Sequence, residues 1–247
     1  MQPPQLEWQV AKVTAIRPET PQTKSFTLAL PRWMAHQPGQ HYDVRLTAPD
    51  GYRTERSYSV ASEPERAGEI DLTVERIADG EVSSYLHDVL MTGDQLEVRG
   101  PVGGYFVWDI ALGGPLMLIG GGSGVVPLMA MLRHRAARRS TIPARLLYSS
   151  RTQDDVIYKS ELEAMARSDR ELGIAYTFTR QAPSGWIGYH RRIDSAMLEE
   201  VMRPLGADIR TYVCGPTLLV EAVASTLVRM GLPAERIRTE RFGPTGN

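Results

Sequence analysis

Cysteine is almost absent: the 247-residue chain has one, Cys214. That excludes a disulfide framework within the chain. It also excludes a four-cysteine iron–sulfur cluster or a cysteine-rich zinc site held by this chain alone. Long apolar runs are missing too, and none approaches the roughly 18 residues that a membrane-spanning helix needs. Neither sign of charge dominates, since 28 Lys and Arg stand against 29 Asp and Glu, a formal net charge of −1. A general nucleic-acid binder would carry a basic surplus. The opening MQPPQLEWQV has no basic start and no apolar stretch, so no secretory signal is visible and the cytoplasm is the expected setting.

What is present is the composition of a globular protein, 42% hydrophobic and 23% charged. The length suits two modest domains better than one. Residues 6–108 read as short strands, over 6–16, 24–30, 41–46, 57–61, 70–76 and 95–100. Turn chemistry separates them at Gln37-Pro-Gly-Gln40, Pro49-Asp-Gly51 and Thr92-Gly-Asp94. This spacing predicts a small antiparallel β-barrel, interrupted by one helical piece over 82–90. After Asp109 the texture changes. A continuous apolar run over 115–119 predicts a buried parallel strand. Helices are expected over 127–139, 160–166, 195–202 and 217–230, and strands over 144–148, 174–178 and 211–214. That alternation predicts an α/β domain with a parallel sheet. The boundary is expected near Leu112-Gly-Gly-Pro115, giving domains 1–111 and 112–247.

Several stretches carry chemistry. In RTERSYSVAS, two arginines stand beside a tyrosine and small hydroxyls at a strand end, more than a turn requires. Strand alternation puts Arg56 and Tyr58 on one face and Ser57 and Ser59 on the other. LMLIGGGSGVVPLMAML is strand, glycines, helix: Gly121, Gly122 and Gly124 let backbone approach a diphosphate, and the helix N-terminus faces the charge. Val125 follows, and Pro127 suits a first helical turn. The loop is neither a full G-x-G-x-x-G nor a P-loop nor a nucleophile elbow. A tight turn without a ligand is the plain alternative.

The next strand ends Tyr148-Ser149-Ser150-Arg151, with hydroxyls and a guanidinium where an acidic residue would favour NAD. The pattern leans to the 2′-phosphate of NADPH, with NADH possible. The plain reading makes Arg151 a solvated loop residue and Asp154 a helix cap. Cys214, before Gly215 and Pro216, closes a strand at the ligand side of an open sheet. It is either a small apolar residue or a neighbour of a bound nicotinamide. The five histidines (His36, His41, His87, His134 and His190) stand in no motif relation to it, which speaks against a cysteine hydrolase. Glu240 and Phe242 alternate on a last strand, as a plain edge or as a proton donor and a stacking ring. The basic run from Arg133 to Arg139 reads as a solvated helix face, with docking of an acidic partner as the alternative.

Together these motifs resemble the ferredoxin–NADP⁺ reductase family, in particular the flavin reductase modules of oxygenase systems. The resemblance covers nearly the whole chain. It rests on Arg56-Ser57-Tyr58-Ser59, then Gly80-Glu81-Val82-Ser83, then the loop from Gly121 to Pro127, then Cys214-Gly215-Pro216, with Glu240-Arg241-Phe242 as a fifth motif. It implies an N-terminal FAD-binding barrel and a C-terminal NAD(P)-binding domain, with hydride passing from nicotinamide to flavin. The motifs alone leave FAD and FMN open. By similarity, Arg56 pairs with the FAD diphosphate, Tyr58 lies against the isoalloxazine, and Ser59 hydrogen-bonds near flavin N5. The backbone at Gly80, Val82 and Ser83 meets the same diphosphate, and Glu75 and Arg76 line the flavin. Cys214 flanks the nicotinamide, Glu240 relays a proton, and Phe242 takes the place of a terminal tyrosine, with a short tail running past it. No fused iron–sulfur domain is expected, so electrons pass to a separate acceptor such as a ferredoxin or an oxygenase component. A non-catalytic flavin- or dinucleotide-binding regulatory subunit is the rival, though such a subunit need not keep Ser59, Cys214 and Glu240.

Overall fold

A computed structural model describes residues 6–243. These fall into two compact units divided between Asp109 and Ile110, with Met129–Ala137 grouped with the first.

The first unit is built on six antiparallel strands: β1 (Gln9–Thr20), β2 (Thr23–Ala29), β3 (His41–Thr47), β4 (Arg53–Ser59), β5 (Glu69–Glu75) and β6 (Gln95–Val102). Their order is β4-β3-β6-β1-β2-β5. A bridge between Val60 and Leu72, with Ala61 N–H donating to the Asp71 carbonyl at 2.8 Å, joins the two outer strands and closes the barrel. Alternation fills the interior: Ala11 and Val13 from β1, Phe26 and Leu28 from β2, and Ile70, Leu72 and Val74 from β5 are all buried. Helix α1 (Glu81–Asp88) adds Val82 and Leu86 to this core.

The second unit holds a parallel sheet of β7 (Leu116–Gly121), β8 (Ala144–Ser150), β9 (Leu172–Phe178), β10 (Arg210–Pro216) and β11 (Ile237–Phe242). All six residues of β7 are buried, so both of its faces are covered, as its unbroken apolar run requires. Helices α4 (Ser195–Met202) and α5 (Thr217–Arg229) pack Leu198, Val220 and Leu227 onto Met117, Ile119 and Val213. Helix α3 (Lys159–Ser168) packs beside β9. The strand order is β11-β10-β7-β8-β9. The chain winds outward from β7 to β9, then returns to the other side of β7 with β10. The C-terminal ends of β7 and β10 therefore flank the reversal point, where open sheets of this kind bind ligands.

Two expectations need correction. Helix α2 (Val125–Ala137) is not a solvated basic face. His134 and Arg135 are buried, the Arg133 guanidinium donates to the Ala61 carbonyl at 2.8 Å, and His134 Nδ1 lies 2.8 Å from Glu65 Oε1, leaving Arg138 and Arg139 exposed beyond the helix end. Asp154 caps no helix. The residue before α3 is Tyr158 at φ +60°, and it is Asp155 that accepts from Thr152 N–H and Oγ1.

Candidate functional site

In the first unit, β4 delivers the Arg-Ser-Tyr-Ser motif through its ladder with β3, which pairs Arg56 with Val44, Ser57 with Asp43, Tyr58 with Tyr42 and Ser59 with His41. The four side chains have different environments. Ser57 is committed to the outer face, its hydroxyl donating to Asp43 Oδ1 at 2.6 Å. Burial pushes the Asp43 carboxyl up, but hydrogen bonds from Ser57 and Arg99 outweigh it and hold the group below its ordinary value. Tyr58 packs half-buried against the barrel core. Burial lifts its phenol to about 12 against the opposing charge of Arg56, so it stays neutral at physiological pH. Arg56 is exposed, and its guanidinium donates to the Glu55 carbonyl at 2.7 Å. It pairs with no carboxylate among the described residues. Ser59 is buried, and its Oγ has no hydrogen-bond partner among the described residues. A shielded hydroxyl without a partner is costly in a finished interior. It fits a strand end built to meet a polar ligand atom.

The Gly80 turn leads into α1 in the same unit. A Cβ at Gly80 would meet Ser83 Oγ at 2.4 Å, because that hydroxyl donates to the Gly80 carbonyl and accepts from Ile77 N–H. The Ser83 side chain is thus spent inside the turn. No side chain caps the N-terminus of α1, which leaves the backbone donors of Glu81, Val82 and Ser83 to an outside acceptor. An uncapped helix start, an arginine without a carboxylate and an orphaned serine hydroxyl together fit the diphosphate and ring edge of FAD. The Arg76 side chain has a structural partner of its own. Its guanidinium is bidentate to Asp88 at the far end of α1, at 2.7 and 3.2 Å, so it braces that helix. Glu75 ends β5 half-buried beside it.

In the second unit, the glycine loop follows β7 as a short 3-10 turn, Gly122–Gly124, and runs straight into α2. Gly122 sits at φ +54°, a left-handed conformation that side chains resist. Gly124 is needed for a different reason: a Cβ there would lie 2.2 Å from the Cys214 carbonyl oxygen. The loop therefore lies directly against the end of β10. Gly121 backs onto Gly215 and Pro216 from the neighbouring strand. Pro127 occupies the first turn of α2, where its missing N–H costs nothing. This cradle of bare backbone at the reversal point fits a dinucleotide diphosphate.

Cys214 and Glu240 are register partners on β10 and β11. Burial, and then the nearby Glu240 charge, push the Cys214 thiol well above its ordinary value. A thiol pushed up by burial is a poor nucleophile, which speaks against the hydrolase alternative. Burial raises the Glu240 carboxyl to about 7, and its Oε2 is shielded without a partner among the described residues. It can therefore gain or lose a proton near neutrality. Phe242 lies opposite Pro216 and is half-buried. The end of the tail, residues 244–247, lies outside the described residues.

The Glu240 shift has a consequence for stability. A carboxyl at 4.5 in the unfolded chain and about 7 in the fold makes the folded state hold the extra proton between those values. Stability therefore falls as pH rises through that window. Glu240→Gln is expected to flatten this part of the profile, as read from thermal unfolding across the window. Equal slopes for parent and variant would show that the carboxyl ionises normally.

At the end of β8, Ser150 is buried with its Oγ unpartnered among the described residues, and Arg151 is exposed. Sequence reasoning missed a neighbour here. The Arg151 carbonyl accepts from both Arg180 N–H at 3.0 Å and Gln181 N–H at 3.1 Å, so a second exposed arginine begins beside the first. The only signal available was its place just past the end of β9, one strand over.

Two family models match the chain in tandem: "Oxidoreductase FAD-binding domain" over residues 10–107 and "Oxidoreductase NAD-binding domain" over residues 118–225. The chain is 35% identical over 211 residues to the glycine betaine monooxygenase reductase subunit of Chromohalobacter salexigens, covering 85% of this chain and 56% of that protein. It thus spans little more than half the length of that relative. To ferredoxin–NADP reductase B of Sorangium cellulosum it is 32% identical over 241 residues, 94% of this chain and 96% of that one. The FAD/NAD-binding domain of nitric oxide dioxygenase from Vibrio cholerae superposes with a TM-score of 0.85 at 24% identity, over 96% and 99% of the two chains. At that identity the likeness speaks for the fold.

Proposed function

The chain belongs to the ferredoxin–NADP reductase family of FAD- and NAD-binding oxidoreductases, and from that premise we propose that it takes hydride from NADPH and passes electrons to a separate acceptor. The strand end at Arg56–Ser59 carries the reading most directly. Among the described residues, it sets a hydroxyl without a partner beside a neutral phenol and an arginine free of carboxylates.

When bound, the two cofactors supply the chemistry, transfer of hydride from nicotinamide C4 to flavin N5. The protein binds, orients and handles the proton. Arg56 and the backbone at Gly80, Val82 and Ser83 balance the FAD diphosphate. Tyr58 offers a ring to the isoalloxazine, and Ser59 donates a hydrogen bond at the N5 edge. Ser57 and Arg76 hold β4 and α1 in place through Asp43 and Asp88. Glu75 borders the flavin from the end of β5. Gly121, Gly122, Gly124, Val125 and Pro127 receive the dinucleotide diphosphate with Gly215 and Pro216. Cys214 would border the nicotinamide as a neutral, polarizable wall, Glu240, raised to about 7, would relay a proton between the site and solvent, and Phe242 would shield the ring. Ser150, Arg151 and Arg180 bind the 2′-phosphate.

The acceptor is a ferredoxin or an oxygenase component. A lone Cys214 cannot ligate an iron–sulfur cluster within this chain, and one relative is named as the reductase subunit of a monooxygenase. The same cysteine count supports a cytoplasmic setting. Among the described residues no helix is long and apolar enough to cross a membrane.

Anaerobic stopped-flow reduction, followed at the flavin band with NADPH and NADH in parallel, tests the proposal. Bleaching faster with NADPH is expected. A bound flavin that neither nucleotide reduces would make the chain a regulatory binding module. Arg151→Ala and Arg180→Ala should each weaken NADPH by about 10-fold or more while sparing NADH, the value of one charge-assisted contact. Variants with the parent's nucleotide preference would withdraw the phosphate assignment.

A further inference from the structure

Tyr148 sits on β8, wholly buried, one residue before the hydroxyl-rich strand end. Its hydroxyl makes two hydrogen bonds to separate segments. It donates to the Gly122 carbonyl at 3.1 Å and accepts from Ile157 N–H at 3.2 Å. Gly122 is the left-handed residue at the head of the glycine loop. Ile157 belongs to the segment that starts at Arg151, is braced internally by Asp155 on Thr152, and ends at the left-handed Tyr158. The ring lies 6.2 Å from that of Tyr176, which limits its freedom.

We infer that Tyr148 is a positioning residue, whose hydroxyl sets the spacing between the loop that receives the dinucleotide diphosphate and the loop that receives the adenosine end. The inference rests on the nicotinamide-dinucleotide reading of these two loops. Gly122 offers a carbonyl and Ile157 offers an N–H, and each is bonded to the phenol oxygen that stands between them rather than to the other. The phenol supplies an acceptor to one and a donor to the other. Removing the oxygen leaves the half-buried Gly122 carbonyl and the buried Ile157 N–H without this partner. Each loop can then drift separately. A ligand spanning both loops loses more than a ligand touching one.

The test is Tyr148→Phe in the flavin-loaded protein. Dissociation constants are measured for NADP⁺, NAD⁺ and 2′-AMP, with hydride-transfer rates at saturating NADPH. Binding of the intact dinucleotide should weaken by about 10-fold, the value of one buried hydrogen bond with its orphaned partners. Binding of 2′-AMP should stay within about 2-fold, and the saturated rate and flavin content should match the parent's. Equal weakening of fragment and dinucleotide, or a lower melting temperature with unchanged affinities, would reduce Tyr148 to a structural residue and overturn the inference. In the parent protein, 2′-AMP should also slow amide exchange at Ser123 and Gly124. Protection confined to residues 150–158 would count against the coupling even if the variant did not fold. A parent that binds neither dinucleotide would instead remove the reading of the site itself.

Discussion

Gly124→Val is expected to leave FAD bound and to cut flavin reduction by either nucleotide about 100-fold or more. The reason is steric and local. A Cβ at this position would lie 2.2 Å from the Cys214 carbonyl oxygen and 2.6 Å from Gly215 Cα. Both obstacles are backbone, so no side-chain rotation relieves them. Either the glycine loop lifts off β10 or the end of β10 moves. Both movements displace the cradle for the diphosphate, and the second also carries Cys214 away from its register with Glu240. Flavin content should hold, since the residues assigned to FAD belong to the other compact unit. Even alanine carries the offending carbon, so Gly124→Ala should fail nearly as badly. Stopped-flow reduction with flavin absorbance as the occupancy control decides it. A valine variant reduced at the parent's rate would show that the nucleotide binds elsewhere.

The way this site is written in the sequence explains what was legible. The apolar run that became β7, the glycines after it, and α4 at Ser195–Met202 could be read because each carries a local signal. For α4 the signal is Asp194, which accepts from Met197 N–H as an N-cap. Strand ends at the site were harder. β8 runs on through Ser149 and Ser150, and β10 through Gly215 and Pro216, though none of these residues looks like a strand former. They extend as strands because neighbouring strands pair with them: Ser150 with Phe178, and Pro216 with Phe242. β4 begins at Arg53 rather than near residue 57 because exposed Arg53 and Glu55 continue a ladder with β3 that hydrophobic alternation does not mark. Helix α2 starts at Val125, ahead of Pro127, because a proline is tolerated throughout a first turn and does not fix its beginning. The places of Arg133 and His134 depend on distant segments, at Ala61 and Glu65, which no local window contains. Arg180 was invisible for the same reason, since only the pairing of β8 with β9 brings it beside Arg151.

Arg56→Ala is expected to weaken FAD binding by about 10- to 100-fold, the cost of one charge-assisted phosphate contact at roughly 1.5–3 kcal/mol. The argument lies in how four of the other arginines of this unit are spent. Arg45 is bidentate to Glu97, Arg99 pairs with Asp43 at 2.8 Å, Arg66 holds Asp71 at 2.9 Å, and Arg76 holds Asp88. Arg56 alternates on the same strand with Glu55 and Ser57 yet pairs with no carboxylate among the described residues. Its side chain is exposed, so its loss should barely change the stability of the flavin-free protein, within about 0.5 kcal/mol. Affinity and stability therefore separate cleanly at this position. Arg56→Lys sharpens the test. It keeps the charge but loses the planar fork, so it should retain part of the affinity if the partner is a phosphate. Titrating apo-protein with FAD by fluorescence, alongside thermal unfolding without flavin, measures both quantities. An alanine variant that holds full FAD at dilute concentration would make Arg56 a solvated strand residue. The uncapped start of α1 would then have to balance the diphosphate alone.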